Sequence, residues 1–304
     1  MNDGEPARPR RGDLLALISA VFAAVFLLAF RAANEAAPRD AAVFAMLACS
    51  TVFNAGFAAS RLRARPSRPP KVAVVATLVL AVLTILGNVG VAGALTHLDP
   101  GLTSTILQTQ VFFVGLGGWL FLGEKVTPAF VIGAVFAVGG FGVIAIDDPS
   151  EASIEVVGVL FALLGSLGFG AMLLYTRKVI TRIDPVGVNV ARLALAVLVM
   201  GLWLGPTGGL ARLPVEAWAM TALAAACGPF ISRLCLMFAV RHISASRAKL
   251  LTLLTPIFAF SLEVAFLGSW PSLHELGGAA LILAGAVLPV LSGRVAPPDP
   301  RTPG

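Results

Sequence analysis

The chain has 304 residues, of which 58% are hydrophobic and 12% charged, with a mean hydropathy of +0.91; a soluble domain carries roughly 25% charged residues. That excludes a soluble enzyme or binding module and leaves an integral membrane protein. The formal charge of +6 does not argue for nucleic acid, because the basic residues sit in short connections between apolar runs, where they orient the chain in a membrane.

Residues 1–13 are polar and contain Pro and Arg, so a disordered cytoplasmic tail is expected there. Apolar runs follow at 14–30, 41–60, 72–95, 102–122 and 129–146. Each approaches the roughly 20 residues that cross a hydrocarbon core of about 30 Å. The first run follows Arg8, Arg10 and Arg11 and resembles a signal peptide in outline. It is read as a retained span, since its loss would leave the two halves unequal. An acidic linker, 147–155, precedes five more runs at 156–176, 186–205, 218–240, 248–267 and 276–291. The Pro-rich end, 292–304, is expected to be a second disordered cytoplasmic tail.

The stretch 95–144 lies on 240–289 without a gap when shifted by 145 positions. His97 falls on His242, Phe113 on Phe258, Gly123 on Gly268, Gly133 on Gly278 and Gly140 on Gly285. The chain therefore reads as one five-helix unit duplicated, a building plan of secondary transporters. With the N-terminus inside, seventeen of the 22 Lys and Arg fall in cytoplasmic segments or their margins, against Arg31, Arg39 and Arg212 outside. This predicts a bacterial inner-membrane protein with both termini cytoplasmic. Five spans per unit then make the second unit inverted relative to the first. The expected fold is all-α, with ten transmembrane helices as two inverted five-helix repeats.

The segment Leu122-Gly123-Glu124-Lys125-Val126-Thr127, with Gly133-Ala134 and Gly139-Gly140 after it, resembles the EamA-type module of the drug/metabolite transporter superfamily. Two tandem modules, 14–146 and 156–291, match that family over nearly the whole chain. The shorter segment Leu107-Gln108-Thr109-Gln110-Val111-Phe112-Phe113 resembles exporters of cysteine and O-acetylserine type. The second module departs from the signature, with Ser269 where Glu124 stands in the first and Pro256 where the first has Val111. The resemblance implies export of small metabolites and leaves the metabolite open.

The sequence contains no GxxxxGK[ST] phosphate loop and no HExxH, so neither ATP-driven pumping nor enzymatic chemistry is expected, and no cofactor or metal is implied. Cys49, Cys227 and Cys235 fall inside apolar runs without metal-type spacing and read as small core residues.

Polar groups within lipid are costly, which makes them the candidates for substrate contact. Glu263, in the ninth span near its outer end, either binds a proton or substrate amine, or caps a neighbouring helix or reaches the interface. Arg192 and Arg233 lie toward the cytoplasmic ends of the seventh and eighth spans, where they either snorkel or bind a substrate carboxylate. Arg233 is the stronger choice, being deeper and one turn past a kink expected at Cys227-Gly228-Pro229. Ser104 and Gln108 share a helix face, with Gly115 beyond giving room for a ligand or for a packed neighbour. Asn88, near Gly87 and Gly90, is a similar candidate, and Asn54 a further one closer to the cytoplasm. Tyr175, the sole tyrosine, is an interfacial anchor or a gate.

The sequence thus predicts a secondary transporter exporting amino acids or related small metabolites by alternating access. The alternatives are an importer of a nutrient or cofactor and a membrane scaffold or receptor without flux. The partners expected are a small-molecule substrate and the bilayer, with no nucleic acid.

Overall fold

A computed structural model describes residues 9–61, 71–123, 125–144, 152–179, 182–206, 208–209, 213–239, 242–243 and 245–291. The tail residues 1–8 and 292–304, Glu124, and the part of the acidic linker at 147–151 lie outside the described residues. Among the described residues the fold is entirely helical: α1 (Pro9–Ala36), α2 (Arg39–Arg61), α3 (Lys71–Leu95), α4 (Pro100–Leu107), α5 (Gln110–Leu122), α6 (Pro128–Ile144), α7 (Ala152–Val179), α8 (Pro185–Leu204), α9 (Val215–Ala225), α10 (Arg233–Ala239), α11 (Ala245–Thr252), α12 (Thr255–Leu267) and α13 (Leu273–Leu291).

Eight helical stretches are long and apolar enough to cross a membrane, and α6 is a shorter apolar helix of 17 residues. The remaining span expected from sequence, 102–122, is divided into α4 and α5 at Gln108–Thr109. The span expected at 248–267 is likewise divided at Leu253–Leu254, into α11 and α12. Both corrections have a local cause. At the first break the Thr109 hydroxyl donates to the Ile106 carbonyl at 2.6 Å, and the backbone tightens to bonds three residues apart. At the second, Pro256 has no N–H to offer, and the Thr255 hydroxyl donates instead to the Thr252 carbonyl at 2.7 Å. Val111, with an ordinary N–H, occupies the matching place in the first stretch, so a proline is not required for the interruption.

Between α9 and α10 the chain runs through a π-helical stretch, Ala226–Ser232, that contains Pro229. This is where the sequence places a kink. The helix α1 begins at Pro9, inside the segment expected as tail, and Asp13 in its second turn accepts from Arg247 at 2.7 and 2.8 Å.

Packing depends on small residues, as it must where lipid supplies no hydrophobic force between helices. The helices α6 and α13 meet at Gly133, Gly140, Gly278 and Gly285, and a methyl group on any of the four would overlap a carbonyl oxygen of the opposite helix. Gly123 and Gly268 end α5 and α12 at φ 70° and 68°, the left-handed conformation that glycine adopts without steric cost. The main core is built from α1, α2, α3, α8 and α9 around Phe30, Met46, Leu47 and Val91. A second cluster, around Leu102, Ile106, Ile144 and Ile282, joins α4, α6 and α13.

Candidate functional site

A cavity of 260 Å³ lies between α2, α3, α7, α8 and the π-helical stretch with α10. One end is bounded by Ile183 and Val186, at the α7–α8 connection, on the side where the sequence concentrates its Lys and Arg. Its wall is largely apolar, with Phe57, Leu80, Phe230 and Met237, and its polar groups are Asn54, Thr176, Asn189, Arg192 and Arg233. No Asp or Glu lines it among the described residues.

The arginines are held differently. Arg192 is buried, and its Nε and one terminal nitrogen donate to Asn189 Oδ1 at 3.1 and 2.8 Å. Its other terminal nitrogen donates to the Thr84 hydroxyl and to Met172 Sδ. Thr84 in turn donates to the Leu80 carbonyl at 2.6 Å. Asn189 Nδ2 donates to Asn54 Oδ1 at 3.1 Å, and Asn54 Nδ2 to the Ser50 carbonyl at 2.8 Å. Two chains of hydrogen bonds therefore diverge from Arg192, one through Asn189 to α2 and one through Thr84 on α3, and every acceptor in them is neutral. Arg233 lines the same cavity and is exposed to it, and no hydrogen bond or ion pair holds it among the described residues.

Local sequence sets these positions. Asp184 caps α8 by accepting from the Val186 and Gly187 N–H groups, the latter at 2.9 Å, and Pro185 starts the helix. Asn189 and Arg192 are then three residues apart and share a face. Arg233 directly follows the π-helical stretch, so its direction depends on that irregular turn.

Of the sequence candidates, Asn54, Arg192 and Arg233 line the cavity. Asn88 is buried on α3, where its amide nitrogen donates to the Thr84 carbonyl at 2.7 Å, and it sits behind the wall. Gln108 is buried at the α4–α5 break and accepts from Lys249 Nζ at 3.0 Å. Ser104 is buried on α4, away from the cavity. The space expected beside Gly115 is filled by the Phe130 ring. Tyr175 packs partly buried against Ala73, Ala76 and Val179, while its neighbour Thr176 reaches the cavity.

Glu263 is fully buried at the opposite end of the molecule. Its Oε2 accepts from the Gly101 N–H at 2.9 Å, in the first turn of α4, which is the capping alternative read from the sequence. The N-cap residue of α4, Asp99, makes no cap of its own: its carboxylate accepts from Arg31 and from the Ser269 hydroxyl, the latter at 3.2 Å. Arg31 also donates to Glu35 at 3.0 Å.

Sequence reading passed over Asn189, Thr84 and Met172. The Asn189/Arg192 and Thr84/Asn88 spacings of three and four residues would have flagged two of them. Met172 carries no such signal.

The sequence pattern of the EamA-like transporter family matches residues 10–146 and 156–291. The chain is 30% identical over 112 residues to "Uncharacterized transporter YvbV" of Bacillus subtilis (strain 168), a match covering 36% of this chain and 36% of that one. A solved structure described as "Crystal structure of protein" superimposes with a TM-score of 0.57 at 18% identity, covering 93% of this chain and 97% of the other, a likeness of fold alone. With two family matches and multiple membrane-spanning helices around an arginine-bearing cavity, the chain is a multi-pass membrane protein that belongs to the EamA-like transporter family.

Proposed function

We propose that the protein is a secondary transporter of the bacterial inner membrane that exports amino acids or related small metabolites by alternating access. Both termini are cytoplasmic in this reading, and the two family-matching segments are inverted repeats. The observation that carries it is the asymmetry between the two ends: a largely apolar cavity holding two arginines and two asparagines at the basic end, and interlocked side chains at the other.

The inverted arrangement is supported by correspondences under the shift of 145. The helix breaks at Gln108–Thr109 and Leu253–Leu254 coincide, as do the left-handed Gly123 and Gly268. Gly133 meets Gly285 and Gly140 meets Gly278. Each glycine thus faces the counterpart of the other pair's member, the exchange that a two-fold axis between α6 and α13 produces. A site near such an axis can open to either side by rocking one unit against the other.

In mechanism, substrate enters the cavity from the cytoplasm past the α7–α8 connection and is held by Arg233, Asn54 and Asn189. Parting of the contacts among Arg31, Asp99, Ser269, Glu263 and Gly101 then opens the outer side. The helix breaks at 108–109 and 253–254 let the outer halves α4 and α12 tilt while α5 and α11 stay in place. Counterflow of labelled amino acids and small organic acids into proteoliposomes tests the reading. Uptake stimulated by unlabelled internal substrate is expected, and no stimulated uptake across a broad panel of amino acids and small metabolites would sink it.

A further inference from the structure

We infer that the cavity receives a small organic anion bearing a carboxylate, and that a zwitterion of similar size is a poor ligand. Two guanidinium groups, Arg192 and Arg233, line one cavity. The protein supplies no carboxylate to either among the described residues, although a buried cation such as Arg192 is ordinarily paired.

The acids of the membrane region are elsewhere. Glu263, remote from the cavity, gives one oxygen to the Gly101 N–H, and Asp99 is engaged by Arg31 and Ser269. A ligand ammonium group would therefore find only amide and hydroxyl oxygens in the cavity, and of these Asn189 Oδ1 already accepts twice from Arg192 while Asn54 Oδ1 accepts from Asn189. A ligand carboxylate finds the unengaged fork of Arg233, which suits bidentate binding.

The division of labour between the arginines follows from how they are held. Neutral acceptors fix the Arg192 plane without cancelling its charge, so it acts as a stationary positive field at the cavity wall. Arg233 is free to close on the ligand. The volume of 260 Å³ admits a metabolite of a few carbons and no drug-sized molecule. An anionic lipid headgroup offers similar chemistry, and the experiment separates the two sources.

This rests on the transport reading and narrows it to small carboxylate metabolites in place of neutral amino acids, but its first test needs no flux. Purified full-length protein in a neutral maltoside detergent is melted with succinate, with L-leucine, or with phosphatidylglycerol. Succinate is expected to raise the melting temperature where L-leucine at the same concentration does not. Arg233→Gln, monodisperse by gel filtration, is expected to weaken the succinate response by about tenfold to a hundredfold in concentration, the loss of a charge-assisted bidentate contact. Arg233→Lys keeps the charge and is expected to retain a weaker response, which serves if the glutamine variant does not fold.

An equal or larger response to L-leucine overturns the inference, as does an unchanged succinate response in either variant. Stabilisation by phosphatidylglycerol without any by succinate assigns the arginines to lipid and overturns it too. Counterflow with internal succinate then separates the readings: binding without counterflow removes the transport proposal and leaves the anion site standing.

Discussion

The two ends of the membrane region carry charge in opposite ways. At the end holding the cavity, Arg192 and Arg233 lack a protein carboxylate among the described residues, and the groups that hold Arg192 in place are neutral. At the other end, Asp99 pairs with Arg31 of α1 and accepts from Ser269 beyond α12, and Glu263 of α12 holds the first turn of α4 through one oxygen, its other oxygen having no partner among the described residues. Charge paired within the protein joins elements, whereas charge left unpaired at a cavity is available to a ligand. This contrast locates a binding region without reference to any single motif.

The contrast is broken most forcefully at Glu263. Glu263→Ala strands the Gly101 N–H in a buried helix start, a loss of about 1–3 kcal/mol for a donor left unsatisfied. The expected result is a lower melting temperature in detergent with succinate binding little changed, since the cavity is remote. Glu263→Gln keeps an oxygen for that N–H and should recover most of the loss. A variant that melts normally but no longer binds would reverse the roles assigned to the two ends.

Ser269→Glu sharpens the comparison from the same end. A carboxylate placed against Asp99 competes for Arg31 and repels, by roughly 0.5–1 kcal/mol for a partly exposed contact. The outer side should open more often, read as faster labelling of a buried Thr103→Cys by a membrane-impermeant maleimide in a cysteine-free background. Unchanged labelling would remove the outer contacts as a gate. An effect of comparable size is expected at the cavity: Asn54→Ala deletes one neutral acceptor of the chain to Arg192, about 0.5–1 kcal/mol. A severalfold loss of ligand affinity with an almost unchanged melting temperature is expected, as measured by titration and thermal unfolding.

The architecture was legible because it is periodic. Apolar runs and the match of 95–144 with 240–289 are properties of many residues at once, and the helices that pack through Gly133, Gly140, Gly278 and Gly285 follow from them. The helix breaks were not legible. Thr109 bends the backbone through a single hydroxyl bond, and threonines are common in spans without doing so. Arg233 and Asn54 could be found as polar residues at the right depth, but Gln108 and Ser104 have the same credentials and sit elsewhere. Which of them meets a cavity depends on how α2, α8 and α10 converge, and no local spacing records that. The Glu263 partner was equally hidden, being a backbone N–H 162 positions away.

One departure in the repeat gains a physical reason from the fold. Ser269 stands where the first unit has Glu124, and its hydroxyl donates to Asp99. A glutamate in place of Ser269 would confront the Asp99 carboxylate.

The π-helical stretch Ala226–Ser232 has a consequence for how this protein tolerates change. A π turn holds an extra residue compared with an α turn, and each residue added or removed turns everything beyond it by about 100° about the helix axis. The azimuth of Arg233, and with it the face made by Phe230, Leu234 and Met237, is thus set by a residue count more than by residue identity. Conservative substitutions within the stretch preserve that phase. A single deletion keeps the span hydrophobic and long enough to cross the bilayer, yet swings the free arginine off the cavity wall, which makes this segment a dial for specificity that only insertions and deletions can turn.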